Sequence, residues 1–237
     1  RDRSPSRGLG DVYKRQEFSS MLVIFDIDGT LNMTETYGIA AYHKALEQMG
    51  ADHFTDEQLR DRIGATFTED VKYFFGERAE ELIDEFSALI EQLWFAEVEE
   101  KAQLFPGVLQ MLHSLKENGH QLAICSNATE EEIAVILKAL HVEQEFDYVQ
   151  GLTPRDSKED SLRVLLQRVQ PEQAVMVGDR FYDMQAANGN HIPFIGCLYG
   201  YGAEHELDAA RYCVTEPCEI PIVVKQIADN KDGALSQ

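Results

Sequence analysis

The sequence predicts an α/β fold, a parallel sheet with helices on both faces that is interrupted after its first strand by an all-helical segment. From residue 104 onward, short apolar runs alternate with segments of helical periodicity, a pattern typical of parallel βαβ units. Between residues 35 and 103, apolar residues recur at helical spacing and no strand pattern appears. We therefore expect a Rossmann-like core over residues 21–34 and 104–237, with a helical insert over residues 35–103.

The first strand is the apolar run from Met21 to Phe25. A strand that is apolar on both faces is typical of a parallel sheet, because helices cover both sides of such a sheet. Glycines end several of the helices expected in the insert. These helices span residues 34–49, 56–63, 68–75 and 77–101.

The second half of the chain continues the alternation of helices and strands. A helix over residues 108–118 follows Pro106, which suits a helix start. Strands are expected at residues 121–125, 146–150, 173–177, 193–196 and near 212–214. Helices are expected at residues 129–140, 158–169, 182–189 and near 219–229.

Composition narrows the possible partners. The formal net charge is −21, which argues against nucleic acid and anionic membranes, because both attract positive charge. The four cysteines form no CxxC pair, which favours free thiols in a reducing cytoplasm. No apolar stretch is long enough to cross a membrane. The sequence leaves open whether the protein is a monomer or a homodimer.

The first twenty residues differ from the rest of the chain. They show no periodicity and no apolar segment of a signal peptide. We expect residues 1–20 to be a disordered or non-native leader, with Met21 as the native start; a basic tail that binds a partner is the alternative.

Two carboxylates, Asp26 and Asp28, follow the first strand directly. Side chains alternate along a strand, so the two aspartates point the same way. One could attack phosphorus while the other protonates the leaving oxygen, and Mg²⁺ would offset their charge. An ordinary turn closed by Asp-Gly is the alternative explanation.

Polar residues also stand at three later element ends. Ser126 and Asn127 follow a strand and precede a helix, where they could bind an anion or simply cap the helix. Asp179 and Asp183 follow another strand. They either hold a metal or stabilise the start of the next helix by interacting with its dipole. Lys158 is the first residue of a helix. Its positive charge either balances the negative charges of Asp26 and a bound phosphate, or its side chain is simply exposed to solvent.

Taken in order, these segments resemble the four motifs of the haloacid dehalogenase-like superfamily of phosphotransferases. The motifs are the run from Asp26 to Leu31, then Ser126-Asn127, Lys158, and the run from Gly178 to Asp183. The glycine-rich stretch from Gly196 to Gly202 resembles the phosphoglycolate phosphatase branch. The helical insert is similar to the cap of this superfamily, which closes over the site and selects the leaving group.

The resemblance implies specific roles. Asp26 is the nucleophile that forms an aspartyl-phosphate, and Asp28 is first the general acid and then the base that activates water. Mg²⁺ is held by Asp26, the backbone carbonyl of Asp28, Asp179 and, in support, Asp183. The phosphoryl group is bound by Ser126, Asn127 and Lys158, with Thr30 assisting.

The expected function is that of a cytoplasmic Mg²⁺-dependent phosphatase for small phosphorylated metabolites, namely phosphoglycolate, a nucleoside monophosphate or a sugar phosphate. An intramolecular phosphomutase is the first alternative, although some mutases of the superfamily carry a histidine where Gly38 follows Tyr37. A non-catalytic binding protein is the second. Specificity is expected in the insert, near residues 62–66 or on the helix from Glu35.

Overall fold

The computed structural model of the chain describes residues 20–155 and 157–234. The leader expected over residues 1–20 therefore lies outside the described residues, apart from Ser20. Among the residues that are described, no helix combines the length and apolar character needed to cross a membrane.

The described part of the chain forms a six-stranded sheet in which every neighbouring pair of strands is parallel. Its strands are β1 (Leu22–Phe25), β2 (Gln121–Cys125), β3 (Tyr148–Gln150), β4 (Ala174–Gly178), β5 (Phe194–Cys197) and β6 (Tyr212–Val214). The spatial order is β3-β2-β1-β4-β5-β6. Phe25 pairs with Ile124 on one side and Val177 on the other. The carboxyl ends of β1, β2 and β4 are therefore level.

The insert after β1 is helical. It contains α1 (Gly38–Gln48), α2 (Asp56–Arg60), α3 (Phe67–Phe75) and α4 (Ala79–Lys101). Helix α4 packs against both α1 and α3. These helices bury a separate apolar cluster that includes Tyr42, Leu46, Phe74 and Phe86. The insert thus has a small core of its own.

Helices cover both faces of the sheet. They are α5 (Val108–Glu117), α6 (Glu130–Ala139), α7 (Lys158–Val169), α8 (Phe181–Gly189) and α9 (Ile220–Ala234). Val23 and Phe25 of β1 share a buried cluster with residues of α5, α6 and α9. Leu22 and Ile24 share the other cluster with residues of α7 and α8. Alternate residues of β1 thus enter opposite layers, and the predicted α/β fold class is confirmed.

Two helices of the insert differ from their expected bounds by more than two residues. The helix predicted over residues 34–49 starts late, since a 3₁₀ turn at Thr34–Thr36 precedes α1. The helix predicted over residues 56–63 ends at Arg60. The chain then turns through Gly64, whose φ of +90° is a conformation that glycine adopts most readily. This turn carries backbone carbonyls towards the core.

Candidate active site

Three buried carboxylates meet at the carboxyl edge of the sheet. Asp26 follows β1, Asp179 follows β4, and Asp183 lies in the first turn of α8. Carboxylate oxygens of the three residues lie within 4.8 Å of one another. The three residues are at most 2% exposed. The parallel register therefore gathers residues that are far apart in the sequence.

One lysine lies inside this group. Lys158 Nζ is 2.5 Å from Asp26 Oδ1 and 2.5 Å from Asp183 Oδ1. Burial by itself lowers the pKa of Lys158, but the carboxylates of Asp183 and Asp26 raise it above its usual value. The lysine is only 5% exposed, which excludes the solvated alternative. Its positive charge is therefore paired with the carboxylates of Asp26 and Asp183.

One lysine does not neutralise three carboxylates. Burial raises the pKa of Asp26 to about 7, against the opposing effect of Lys158. Burial, followed by the charges of Asp183 and Asp26, raises the pKa of Asp179 well above its usual value. Asp26 Oδ2 is buried without a hydrogen-bond partner. An all-oxygen set with excess negative charge fits a hard cation such as Mg²⁺.

Glycines make room for the carboxylates of this cluster. A Cβ atom at Gly29 would lie 2.1 Å from Asp179 Oδ2, and one at Gly178 would lie 2.2 Å from Asp183 Cγ. The backbone N–H of Tyr201 donates to Asp179 Oδ2 at 2.7 Å. The Thr30 hydroxyl, expected to assist with the phosphoryl group, donates to Asp179 Oδ1 at 3.1 Å. The carboxylates are therefore fixed from several sides.

Asp28 lies outside the three-carboxylate cluster and has its own partners. Its Oδ1 accepts hydrogen bonds from the hydroxyl of Thr34 and, at 3.5 Å, from the side-chain amide of Asn32. Burial raises the pKa of Asp28 above its usual value. A carboxyl group with a raised pKa holds its proton more readily, which is what a general acid requires.

Ser126 and Asn127 follow β2 as expected, and each has a local partner. The Ser126 hydroxyl accepts a hydrogen bond from the backbone N–H of Ala128 at 3.2 Å. The side-chain amide of Asn127 donates to the backbone carbonyl of Gly64 in the insert at 2.9 Å. Asn127 therefore joins the core to the insert.

A cavity of about 110 Å³ lies between the core and the insert. Asp26, Asp28, Ser126 and Asn127 line it from the core. From the insert it is lined chiefly by Tyr42, Arg62, Phe67, Asp70 and Trp94. The predicted nucleophile and general acid thus line the same cavity as residues of the insert.

Arg180 joins the core to the insert through hydrogen bonds that the sequence did not predict. Its Nη1 donates to the backbone carbonyl of Asp61 at 3.2 Å and also to that of Ile63. Its Nε donates to Glu206 Oε1 at 3.0 Å. Arg180 lies within the motif from Gly178 to Asp183. Its acceptors in the insert are backbone carbonyls, which every residue carries, so the sequence pattern does not indicate them.

Comparison with known proteins identifies the family. The model of the haloacid dehalogenase-like hydrolase family matches residues 23–197. The chain belongs to this family. Among solved structures, a haloacid dehalogenase-like family protein from Streptococcus pneumoniae superposes with a TM-score of 0.79 at 24% identity, covering 87% of this chain and 99% of the other.

Two curated relatives have different functional names. The tyrosine-protein kinase PtkA of Mycobacterium tuberculosis is 31% identical over 80% of this chain, and the match spans 66% of its own length, slightly less than two thirds. A phosphoglycolate phosphatase of Agrobacterium fabrum is 28% identical, over 77% of this chain and 82% of its own length.

Proposed function

We propose that this chain is a Mg²⁺-dependent phosphatase that hydrolyses small phosphomonoesters through an aspartyl-phosphate. The observation that carries the proposal is the cluster of Asp26, Asp179 and Asp183 around Lys158, beside a cavity that Asp26 and Asp28 share. Relatives named phosphoglycolate phosphatase, 5'-nucleotidase and pyrophosphatase support the reaction class. The candidate substrates are phosphoglycolate, a nucleoside monophosphate and a sugar phosphate.

The binding of Mg²⁺ is the first part of the proposal. Asp26, Asp179, Asp183 and the backbone carbonyl of Asp28 would hold the ion. When bound, it supplies the positive charge that phosphoryl transfer needs. Lys158 supplies further positive charge beside Asp26, and Ser126 and Asn127 orient phosphoryl oxygens.

The proposed reaction has two steps. In the first, a carboxylate oxygen of Asp26 bonds to phosphorus, the bond to the leaving oxygen breaks, and Asp28 gives that oxygen its proton. In the second, Asp28 takes a proton from water as the water attacks phosphorus, and Asp26 is released with inorganic phosphate. The hydrogen bonds of Thr34 and Asn32 to Asp28 keep its carboxyl group in place for both transfers.

The insert, residues 35–103, is proposed to act as a cap on a core formed by residues 21–34 and 104–237. A cap that closes over the cavity would exclude water from the first step. All four cysteines are free thiols, which supports the cytoplasm as the proposed location. Whether the active form is a monomer or a homodimer does not affect this scheme, because every proposed residue comes from one chain.

A panel assay tests the proposed function. Phosphate release from phosphoglycolate, nucleoside monophosphates and sugar phosphates is measured with Mg²⁺ and with excess chelator. We expect Mg²⁺-dependent release from one class of substrate, and no release by an Asp179→Asn variant. Release that persists fully in chelator would refute the metal site. A product of unchanged mass with its phosphate on another carbon would indicate a mutase.

The tyrosine-protein kinase relatives support a second candidate function, phosphoryl transfer to a tyrosine. The same carboxylate cluster would then act on a nucleoside triphosphate, and a protein would take the place of water as acceptor. Incubation with ATP labelled at its terminal phosphate, followed by detection of phosphotyrosine, separates the two candidates. The phosphatase predicts no labelling of tyrosine, together with release of phosphate from a phosphomonoester of the panel.

A further inference from the structure

One loop that the proposed reaction does not use lies against the carboxylate cluster. It is the glycine-rich stretch from Gly196 to Gly202. The backbone N–H of Tyr201 donates to Asp179 Oδ2 at 2.7 Å. A Cβ atom at Gly200 would lie 2.3 Å from the Cβ atom of Asp179. The main chain of this loop therefore packs directly against a proposed metal ligand.

The side chain of Tyr201 extends to the entry segment, residues 31–36, through which the chain passes from the core into the insert. Its hydroxyl accepts a hydrogen bond from the backbone N–H of Glu35 at 3.1 Å. The carboxylate of Glu35 in turn pairs with Arg60 of α2 at 2.8 Å. Tyr201 is only 8% exposed, so it is largely shielded from water. One buried residue thus contacts both the carboxylate cluster and the entrance to the insert.

The exit segment, residues 101–105, is paired with the entry segment. The backbone N–H of Met33 donates to the carbonyl of Gln103 at 2.8 Å, and that of Phe105 donates to the carbonyl of Leu31 at 2.9 Å. The ring centroid of Phe105 lies 6.3 Å from that of Tyr201. A shift of Tyr201 would therefore affect both segments that join the insert to the core.

We propose that Tyr201 is a positioning residue that couples Mg²⁺ binding at Asp179 to the position of the entry segment. The inference rests on the metal site of the proposed function and adds a residue to that site. Three carboxylates share one lysine, so they repel one another when no cation is bound. A cation would hold the Asp179 carboxylate in one place, together with the Tyr201 N–H that binds it. Through the Tyr201 hydroxyl, the amide of Glu35 is then held as well.

The entry segment also positions the proposed general acid. The 3₁₀ turn Thr34–Thr36 contains Glu35 together with Thr34, whose hydroxyl donates to Asp28 Oδ1. Coupling between two sites is reciprocal, so a segment that Mg²⁺ holds in place must favour Mg²⁺ binding by the same factor. Loss of the Tyr201 hydroxyl should therefore weaken Mg²⁺ binding although no metal ligand changes.

Tyr201→Phe tests this coupling, because it keeps the ring and the backbone N–H and removes only the acceptor for Glu35. Mg²⁺ binding to the full chain is measured by titration calorimetry. We expect the Kd for Mg²⁺ to rise about two- to tenfold, the effect of losing one hydrogen bond between uncharged groups. The matched control is Tyr148→Phe, which removes a hydroxyl that accepts a hydrogen bond from Gln121 at the amino end of β2. Its Kd for Mg²⁺ should equal that of the unaltered chain.

Hydrogen exchange separates coupling from a merely structural role. The amides of Met33 and Phe105 are followed with and without Mg²⁺, at concentrations well above the Kd of each variant so that occupancy is equal. Mg²⁺ should slow their exchange in the unaltered chain and in Tyr148→Phe, and this effect should be largely lost in Tyr201→Phe. A merely structural role would change exchange equally with and without Mg²⁺.

Two results would overturn the role of Tyr201 and leave the phosphatase intact. One is an unchanged Kd for Mg²⁺ in Tyr201→Phe. The other is an undiminished effect of Mg²⁺ on the exchange of Met33 and Phe105 in that variant. If the unaltered chain binds no Mg²⁺, the proposed metal site fails and this inference fails with it.

Discussion

Replacing Gly29 with alanine tests how tightly the residues around Asp179 are packed. Comparison with a second glycine of the same backbone conformation shows how much of the effect comes from the positive φ alone. Gly29 has a φ of +81°, and a Cβ there would lie 2.1 Å from Asp179 Oδ2. Gly119 has almost the same φ, +82°, but no atom lies within 4 Å of a Cβ built on it. Gly119→Ala is therefore a control with the same backbone cost and no collision.

The two variants should differ by the cost of displacing Asp179 and the ring of Tyr201, whose Cδ2 would lie 2.7 Å from the added Cβ. The left-handed conformation costs a non-glycine residue about 1–2 kcal/mol, and both variants bear that cost. In Gly29→Ala the carboxylate must also retreat by about 1 Å, and such overpacking adds about 1–3 kcal/mol. A displacement of this size at a reacting centre can lower the rate about a hundredfold.

Urea unfolding and Mg²⁺-dependent phosphate release measure these two effects. We expect both variants to lose unfolding free energy, Gly29→Ala more than Gly119→Ala. Phosphate release should fall about a hundredfold in Gly29→Ala and stay near normal in Gly119→Ala. Equal activity of the two variants would refute the claim that Asp179 must occupy its observed position.

Three further results are expected. Arg180→Gln should expose the chain after Arg62 to trypsin more quickly, because the carbonyls of Asp61 and Ile63 lose their donor; unchanged digestion would contradict this. Burial raises the pKa of Asp70 to about 6. The protonated carboxyl group therefore adds to the free energy of unfolding fully below its ordinary pKa near 4, and this contribution is lost as the pH rises through about 6. In urea unfolding at a series of pH values, Asp70→Asn should lack this loss. Mg²⁺ should raise the Tm more at pH 8 than at pH 6, because protons compete at Asp26, whose pKa is about 7; an equal rise would count against that ligand.

The sheet and the position of the site could be predicted because both depend on short-range patterns. The apolar runs of β1 and β4 end in carboxylates, and parallel strands place their carboxyl ends on one edge. Asp26 and Asp179 therefore meet through the pairing of Phe25 with Val177. Lys158 also opens α7 at the predicted residue.

Contacts between the core and the insert could not be predicted in this way. The acceptors of Arg180 and Asn127 are backbone carbonyls, which every residue carries. The bend after Arg60 depends on the positive φ of Gly64, although the sequence pattern favoured a longer helix. The pairing of Arg62 with Asp70 crosses that bend, so neither helical nor strand spacing indicates it.

The central claim is that Asp26 accepts the phosphoryl group, and trapping that adduct tests it most directly. The full chain is mixed with 2-phosphoglycolate and Mg²⁺, or with the preferred ester of the panel, quenched in acid within the first turnover, and analysed by peptide mass spectrometry. We predict one added phosphoryl group on Asp26, and neither the adduct nor phosphate release in Asp26→Asn. The control is Lys116→Met, which removes a surface lysine paired with Glu145 and should stay active. Undiminished phosphate release by Asp26→Asn, or a phosphoryl group on another residue, would contradict the account.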